Sequence, residues 1–262
     1  MKTFAALLGF IISFSIFASE NTLSKISKRG ELLVGMEAGY TPFEMRNKKG
    51  DLIGLDVDFA QMMAREMGVK VKLINTEWDG IIPALMTDKF DIILSGMSLT
   101  QERNMKILFS DPYLVIGQTV LLAKKNQGKV KTYKDLNNPQ YTVASKMGTT
   151  GESAIRRLIS KAKYRAYQTE AEAVMEVANG KVDAYVYDQP YNIIYANSRG
   201  KGKVIHLDKP FTYEPMAIGI RQGDHDLLNW MNHFIAQIKN DGRFDELQDR
   251  WLKKMDWLGE IQ

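Results

Sequence analysis

The chain has 262 residues, no cysteine, 45% hydrophobic residues, and 35 Lys+Arg against 31 Asp+Glu for a formal charge of +4. The lack of cysteine excludes disulfides, thiol catalysis and thiolate metal sites. The small basic excess is spread along the chain instead of gathered in runs, which argues against a nucleic-acid partner. Residues 124–134 (KKNQGKVKTYK) are the densest basic stretch and read as a solvated loop.

At the amino end, Met1-Lys2 gives a positive start and residues 4–17 (FAALLGFIISFSIF) are apolar apart from two serines. The run is short for a membrane span and small residues Ala18 and Ser19 follow it, the pattern of an export signal cleaved just before Glu20. A lipoprotein needs a cysteine there, so the expected product is a free periplasmic protein. About 240 residues remain, enough for one large domain or two smaller ones.

Strands and helices then alternate in the manner that builds parallel sheets flanked by helices. Residues 32–35 read as a strand. Leu55, Phe59, Met62, Met63 and Met67 recur at helical spacing, Gly68 stands at the end of that helix, and Val69, Val71 and Leu73 alternate as a strand. A helix over 80–87 and a short apolar strand over 91–94 repeat the pattern. The strand runs into Ser95, Gly96, Met97 and Ser98.

A second series begins after residues 121–123. Thr132 with Asp135 reads as a capping box, 141–144 as a strand, and Thr149 with Glu152 as the cap of a helix carrying Ala154, Ile155, Leu158 and Ile159. A helix over 170–178, stopped by Asn179-Gly180, leads to a strand over 182–187 and then to Asp188-Gln189-Pro190. Two amphipathic helices close the chain, one striped by Leu227, Leu228, Met231, Phe234, Ile235 and Ile238, the other by Phe244, Leu247, Trp251, Leu252 and Met255, with Gly242 between them. There is no internal repeat.

Two α/β units in series, joined near 113–119 and again near 213–219, predict two lobes with a cleft between them. Ligands of open sheets bind beyond the carboxyl ends of strands, where loops enter helices. The loops at 95–103, 147–151 and 187–190 fall there.

The runs 35–43 (GMEAGYTPF), 54–58 (GLDVD), 78–85 (WDGIIPAL), 98–103 (SLTQER) and 109–113 (FSDPY), followed by Gly148-Thr149-Thr150 and Tyr187-Asp188, resemble in order the polar amino acid binding proteins of ABC importers, solute-binding protein family 3. The resemblance implies an α/β, two-lobed periplasmic binding protein fold of type II. Residues 20–116 and 216–262 would form one lobe and 117–215 the other, after a signal over 1–19. It also implies a monomer that captures a free L-amino acid and delivers it to an inner-membrane ABC permease, without catalysis or cofactor.

By that resemblance Arg103 grips the ligand α-carboxylate with Ser98 and Thr150, while Asp188 takes the α-ammonium. Ser95, Gly96 and Met97 belong to the same loop, and Tyr40 and Trp78 wall the side-chain pocket. Glu37 falls where lysine and arginine binders hold an acid, favouring arginine, lysine or ornithine, with glutamine also accommodated. Lys146 approaches the same region, and its positive charge counts against a basic ligand. Taken one at a time these residues have plainer readings: Arg103 on a solvated helix, Asp188 and Thr150 as caps, Tyr40 and Trp78 as core aromatics. Their joint order carries the assignment.

Asp56 and Asp58 look like a catalytic carboxylate pair, but the resemblance makes them structural. His206, His225 and His233 lack ligand spacing, and no metal site is expected. The rival reading is a cyclohexadienyl (arogenate/prephenate) dehydratase on the same fold. That chemistry needs a general acid and a lysine, and Tyr191 and Gln118 stand in the corresponding positions.

Overall fold

The computed structural model describes residues 21–261, so the export-signal reading of 1–19 lies outside the described residues. Two five-stranded sheets organise the chain. The first has the spatial order Lys70–Asn75, Glu31–Met36, Ile92–Ile93, Gly219–Ile220, Leu108–Phe109. The second has the order Lys163–Tyr167, Thr142–Lys146, Ala184–Asp188, Gln118–Ala123, Val204–Leu207.

In each sheet the first three strands are parallel and the fourth is antiparallel. The antiparallel strands, Gln118–Ala123 and Gly219–Ile220, follow directly on the two crossovers. Those crossovers pair with each other, Leu114–Ile116 against Glu214–Met216, as a two-stranded ribbon between the lobes. Two strands side by side can bend without losing either lobe's core, the requirement for a hinge.

Local sequence explains the elements. Strand Glu31–Met36 buries Leu32, Val34 and Met36, and helix Leu55–Glu66 buries Leu55, Phe59, Ala60 and Met63. Helix His225–Asn240 returns to the first lobe, where Phe234 stacks on Phe59 at 5.8 Å between ring centroids. The fold therefore closes through residues far apart in sequence. Helix Glu170–Ala178 has the predicted bounds, and Thr132 and Asp135 do form a capping box, on a single 3-10 turn.

Two expectations are corrected. Thr149 precedes helix Thr150–Leu158 but makes no capping bond; its hydroxyl donates to the Lys146 carbonyl at 2.7 Å, while Glu152 accepts from the Gly148 N–H at 2.9 Å. The last predicted helix is split: Arg243–Gln248 is α-helical and Asp249–Lys254 winds as a π-turn that buries Trp251. The turn lets the indole N–H of Trp251 donate to Asp58 at 2.8 Å. Sequence reading also passed over helix Thr22–Arg29 and the strands Lys163–Tyr167 and Val204–Leu207, two elements of which only part of each residue pattern is apolar.

Candidate ligand cleft

The carboxyl ends of the parallel strands in the two sheets face each other, and the loops that leave them meet. A small cavity lies between them, lined by Glu37, Tyr40, Trp78, Ser95, Gly96, Ser98, Arg103, Thr150 and Asp188 from the predicted set. Glu44, Thr149 and Tyr187 complete the lining. Met97 takes a different place. Its side chain packs with Ile81, Leu85 and Phe90 beneath the loop and reaches only the outer groove of the cleft. Lys146 lines an adjoining cavity that shares Glu37 and Trp78 with the first.

Arg103 stands in the short helix Gln101–Asn104, behind the Thr100 cap. Its guanidinium donates to the Ser98 carbonyl at 2.8 Å and, across the cleft, to the Gly148 carbonyl at 3.1 Å. It also lies over the Trp78 ring, 5.1 Å from the centroid, and the Trp78 indole N–H donates to the same Gly148 oxygen at 3.0 Å. Its polar partners are carbonyl oxygens rather than carboxylates, so the guanidinium is oriented without being neutralised. Burial lowers its pKa, opposed by Glu214 and Asp188.

Asp188 ends the strand Ala184–Asp188 and stands at the N-cap of helix Gln189–Asn197, yet its side chain makes no capping bond. The carboxylate instead accepts from the Tyr40 hydroxyl of the opposite lobe and from the Gln118 amide at 2.5 Å. The same Gln118 nitrogen reaches the Thr150 hydroxyl at 3.2 Å. Burial pushes the Asp188 pKa up to about 7, against the lowering pull of Tyr40, Gln118 and Arg103. A carboxylate held this way gains from a cationic partner.

Gly96 makes the first wall possible. Its φ is +50°, and a Cβ there would lie 2.2 Å from a ring carbon of Tyr40. A glycine lets the tyrosine lie flat on the loop and reach Asp188.

Around Glu37 the charges are concentrated. Lys146, only 2% exposed, bonds Glu37 across the cleft and Glu170 at 3.0 Å within its own lobe. Burial would lower the Lys146 pKa, but Glu170 and Glu37 together raise it. Glu37 itself is raised by burial against the pull of Lys146. Glu44 is fully buried, accepts from Ser95, and leaves its second oxygen without a partner among the described residues. Burial and the neighbouring Asp56 hold Glu44 well above the carboxylate range.

Asp56 and Asp58 do not form a pair. Asp56 accepts from the Gly96 N–H at 2.6 Å and the Tyr113 hydroxyl at 3.0 Å, fixing the cleft loop from behind, whereas Asp58 holds Trp251 and Arg250. Among the described residues no group of three or more His, Asp or Glu is placed to hold a metal ion.

Sequence reading missed Glu44 and Glu170, placed Tyr187 in a cleft loop without giving it a role, and gave Gln118 no part in ligand binding. Glu44 directly follows the 35–43 run and was within reach. Gln118 becomes a site residue only because the antiparallel strand places it directly opposite Asp188, 70 positions away.

Two sheet-and-helix lobes that meet over a polar cleft, joined by a paired double crossover, define a binding protein of the type II periplasmic fold. Residues 32–254 match the model of the bacterial extracellular solute-binding proteins, family 3, and the chain belongs to that family. A binding component of an ABC transporter from Wolinella succinogenes, solved in complex with lysine, is 53% identical, covers 88% of this chain and 99% of its own, and superposes with a TM-score of 0.85. The L-cystine-binding protein TcyJ of Escherichia coli K12 is 30% identical over 92% of this chain and 90% of its own length. The cyclohexadienyl dehydratase of Pseudomonas aeruginosa is 26% identical over 95% and 92%.

Proposed function

We propose that this protein captures one free L-amino acid with a cationic side chain by hinge closure and delivers it to an inner-membrane ABC permease, without chemical conversion. The observation that carries the reading is the pair Arg103 and Asp188, which approach one cavity from opposite lobes with opposite charge. A guanidinium fork matches an α-carboxylate in two parallel hydrogen bonds, and a buried carboxylate matches an α-ammonium. Each lobe owns one end of the clamp, so the full set of contacts exists only when the lobes meet.

The carboxylates of Glu37 and Glu170 at the other end, with Tyr40 and Trp78 as walls, favour arginine, lysine or ornithine over glutamine. The lysine complex of the 53% identical relative supports the same class. Lys146 does not overturn it, because two carboxylates flank its ammonium.

The dehydratase relative raises a catalytic reading. Tyr191 is buried edge-on against Tyr187, its hydroxyl pKa is pushed far up by burial, and the Gln118 amide is engaged with Asp188. Neither supplies a proton to a leaving hydroxide at neutral pH. The chain is proposed to act as a monomer in the periplasm after cleavage near Ala18/Ser19, which amino-terminal sequencing of the exported protein checks. Among the described residues no helix is long and apolar enough to cross a membrane.

A calorimetric screen of the twenty amino acids plus ornithine tests the reading. Arginine, lysine or ornithine is expected to bind with micromolar or tighter affinity, about −8 kcal/mol or better. No heat with any amino acid, or tighter binding of glutamate than of arginine, lysine and glutamine, refutes it.

A further inference from the structure

Lys146 ends the strand Thr142–Lys146, and Glu37 follows the strand Glu31–Met36, so the two stand at matching strand ends of opposite sheets. The ammonium lies between Glu37 and Glu170 and 5.9 Å from the centre of the Trp78 ring. Glu170 is fixed in turn. It opens helix Glu170–Ala178, where a negative charge is favoured, and accepts the Tyr187 hydroxyl at 2.7 Å. A second small cavity adjoins the central one, sharing Glu37 and Trp78 with it and reaching Lys146, Met147 and Gln168. A side chain that extends from the central cavity in this direction passes the triad. Glu77 and Asp79 at its rim are exposed and screened by solvent, and burial with the neighbouring Asp56 disfavours the charged form of Glu44.

The balance of buried charge at this end is thus two carboxylates against one ammonium. We propose that Lys146 is a specificity-determining counterweight: by offsetting one of Glu37 and Glu170, it sets the side-chain end of the cleft to accept a single positive charge. An uncharged guest leaves one carboxylate uncompensated in the closed cleft, and an acidic guest adds a second. A monocation closes the balance. The inference rests on the basic amino-acid reading and adds to it the residue that tunes the preference.

Arginine and citrulline, nearly equal in shape and differing in one charge, are the probes. Their affinities are measured calorimetrically for the wild type, Lys146→Met and Glu170→Gln. Lys146→Met leaves two uncompensated carboxylates, and the preference for arginine over citrulline should rise about tenfold. Glu170→Gln leaves none, keeps an acceptor for Tyr187, and should lower the preference by about tenfold. Opposite shifts from neighbouring substitutions are not produced by loss of packing. If Lys146→Met fails to fold, the Glu170→Gln shift alone decides. A wild type without preference for arginine over citrulline overturns the basic-ligand reading and this inference with it. A wild-type preference that the folded variants leave within twofold overturns the counterweight alone.

Discussion

Arg103→Ala is the most direct perturbation of the clamp. The guanidinium is oriented by two carbonyl oxygens and the Trp78 face, and no carboxylate neutralises it at close range. A ligand carboxylate closed over it loses its water and has no other cation of comparable geometry. Removing one partner of a buried, hydrogen-bonded charge pair costs about 2–5 kcal/mol, since the abandoned charge keeps its desolvation penalty. At about 1.4 kcal/mol per tenfold, binding should weaken roughly 30-fold to several-thousand-fold. The bond from Arg103 to Gly148 also crosses between the lobes, so part of the loss is in closure itself. The fold should survive, because the residue packs on the rim of Trp78 and holds no core element together. Calorimetric affinity and the melting temperature without amino acid, measured side by side, give both readouts. Affinity unchanged within threefold would show that Arg103 is an ordinary solvated helix residue, whose truncation is worth under about 1 kcal/mol.

Three further outcomes follow from the geometry. Gly96→Ala places a methyl against buried Tyr40 at a positive φ, so both affinity and melting temperature should fall; unchanged affinity would mean that Tyr40 does not need its position on the loop. The Asp188 pKa is raised to about 7 where the lobes meet and returns towards the ordinary carboxylate value when the cleft opens to water. The closed form therefore binds a proton more tightly, and its advantage is lost as pH rises from about 4 through about 7. Small-angle scattering without amino acid should show a more compact protein at pH 5 than at pH 8, and equal radii would refute the assignment. Purified protein should form no aromatic product from prephenate or arogenate above the buffer rate, because Tyr191 and Gln118 provide neither acid nor lysine; product above that rate would make the chain an enzyme.

The sequence by itself determined many of the local elements and their order. Apolar spacing located helix Glu170–Ala178 and the stripe of His225–Asn240, and the crossovers fell where strands Leu114–Ile116 and Glu214–Met216 pair. These are properties of short windows, in which burial repeats with the period of the element. The motif runs also contain Glu37, Tyr40, Trp78, Ser98, Arg103, Thr150 and Asp188, all of which line one cavity.

Only the tertiary structure decided what each of those groups faces. Thr149 has the composition of a cap, but the turn at Gly148 directs its hydroxyl to the Lys146 carbonyl. Met97 belongs to the loop, but its side chain points into the core while Gly96 and Ser98 face the cavity. Gln118 meets Asp188 through an antiparallel register, and Lys146 meets Glu37 through closure of two lobes. Pairings of that kind depend on the relative placement of elements about 70 to 110 residues apart, and no local pattern encodes it. The charge balance beside Glu37 is therefore a property of the assembled cleft.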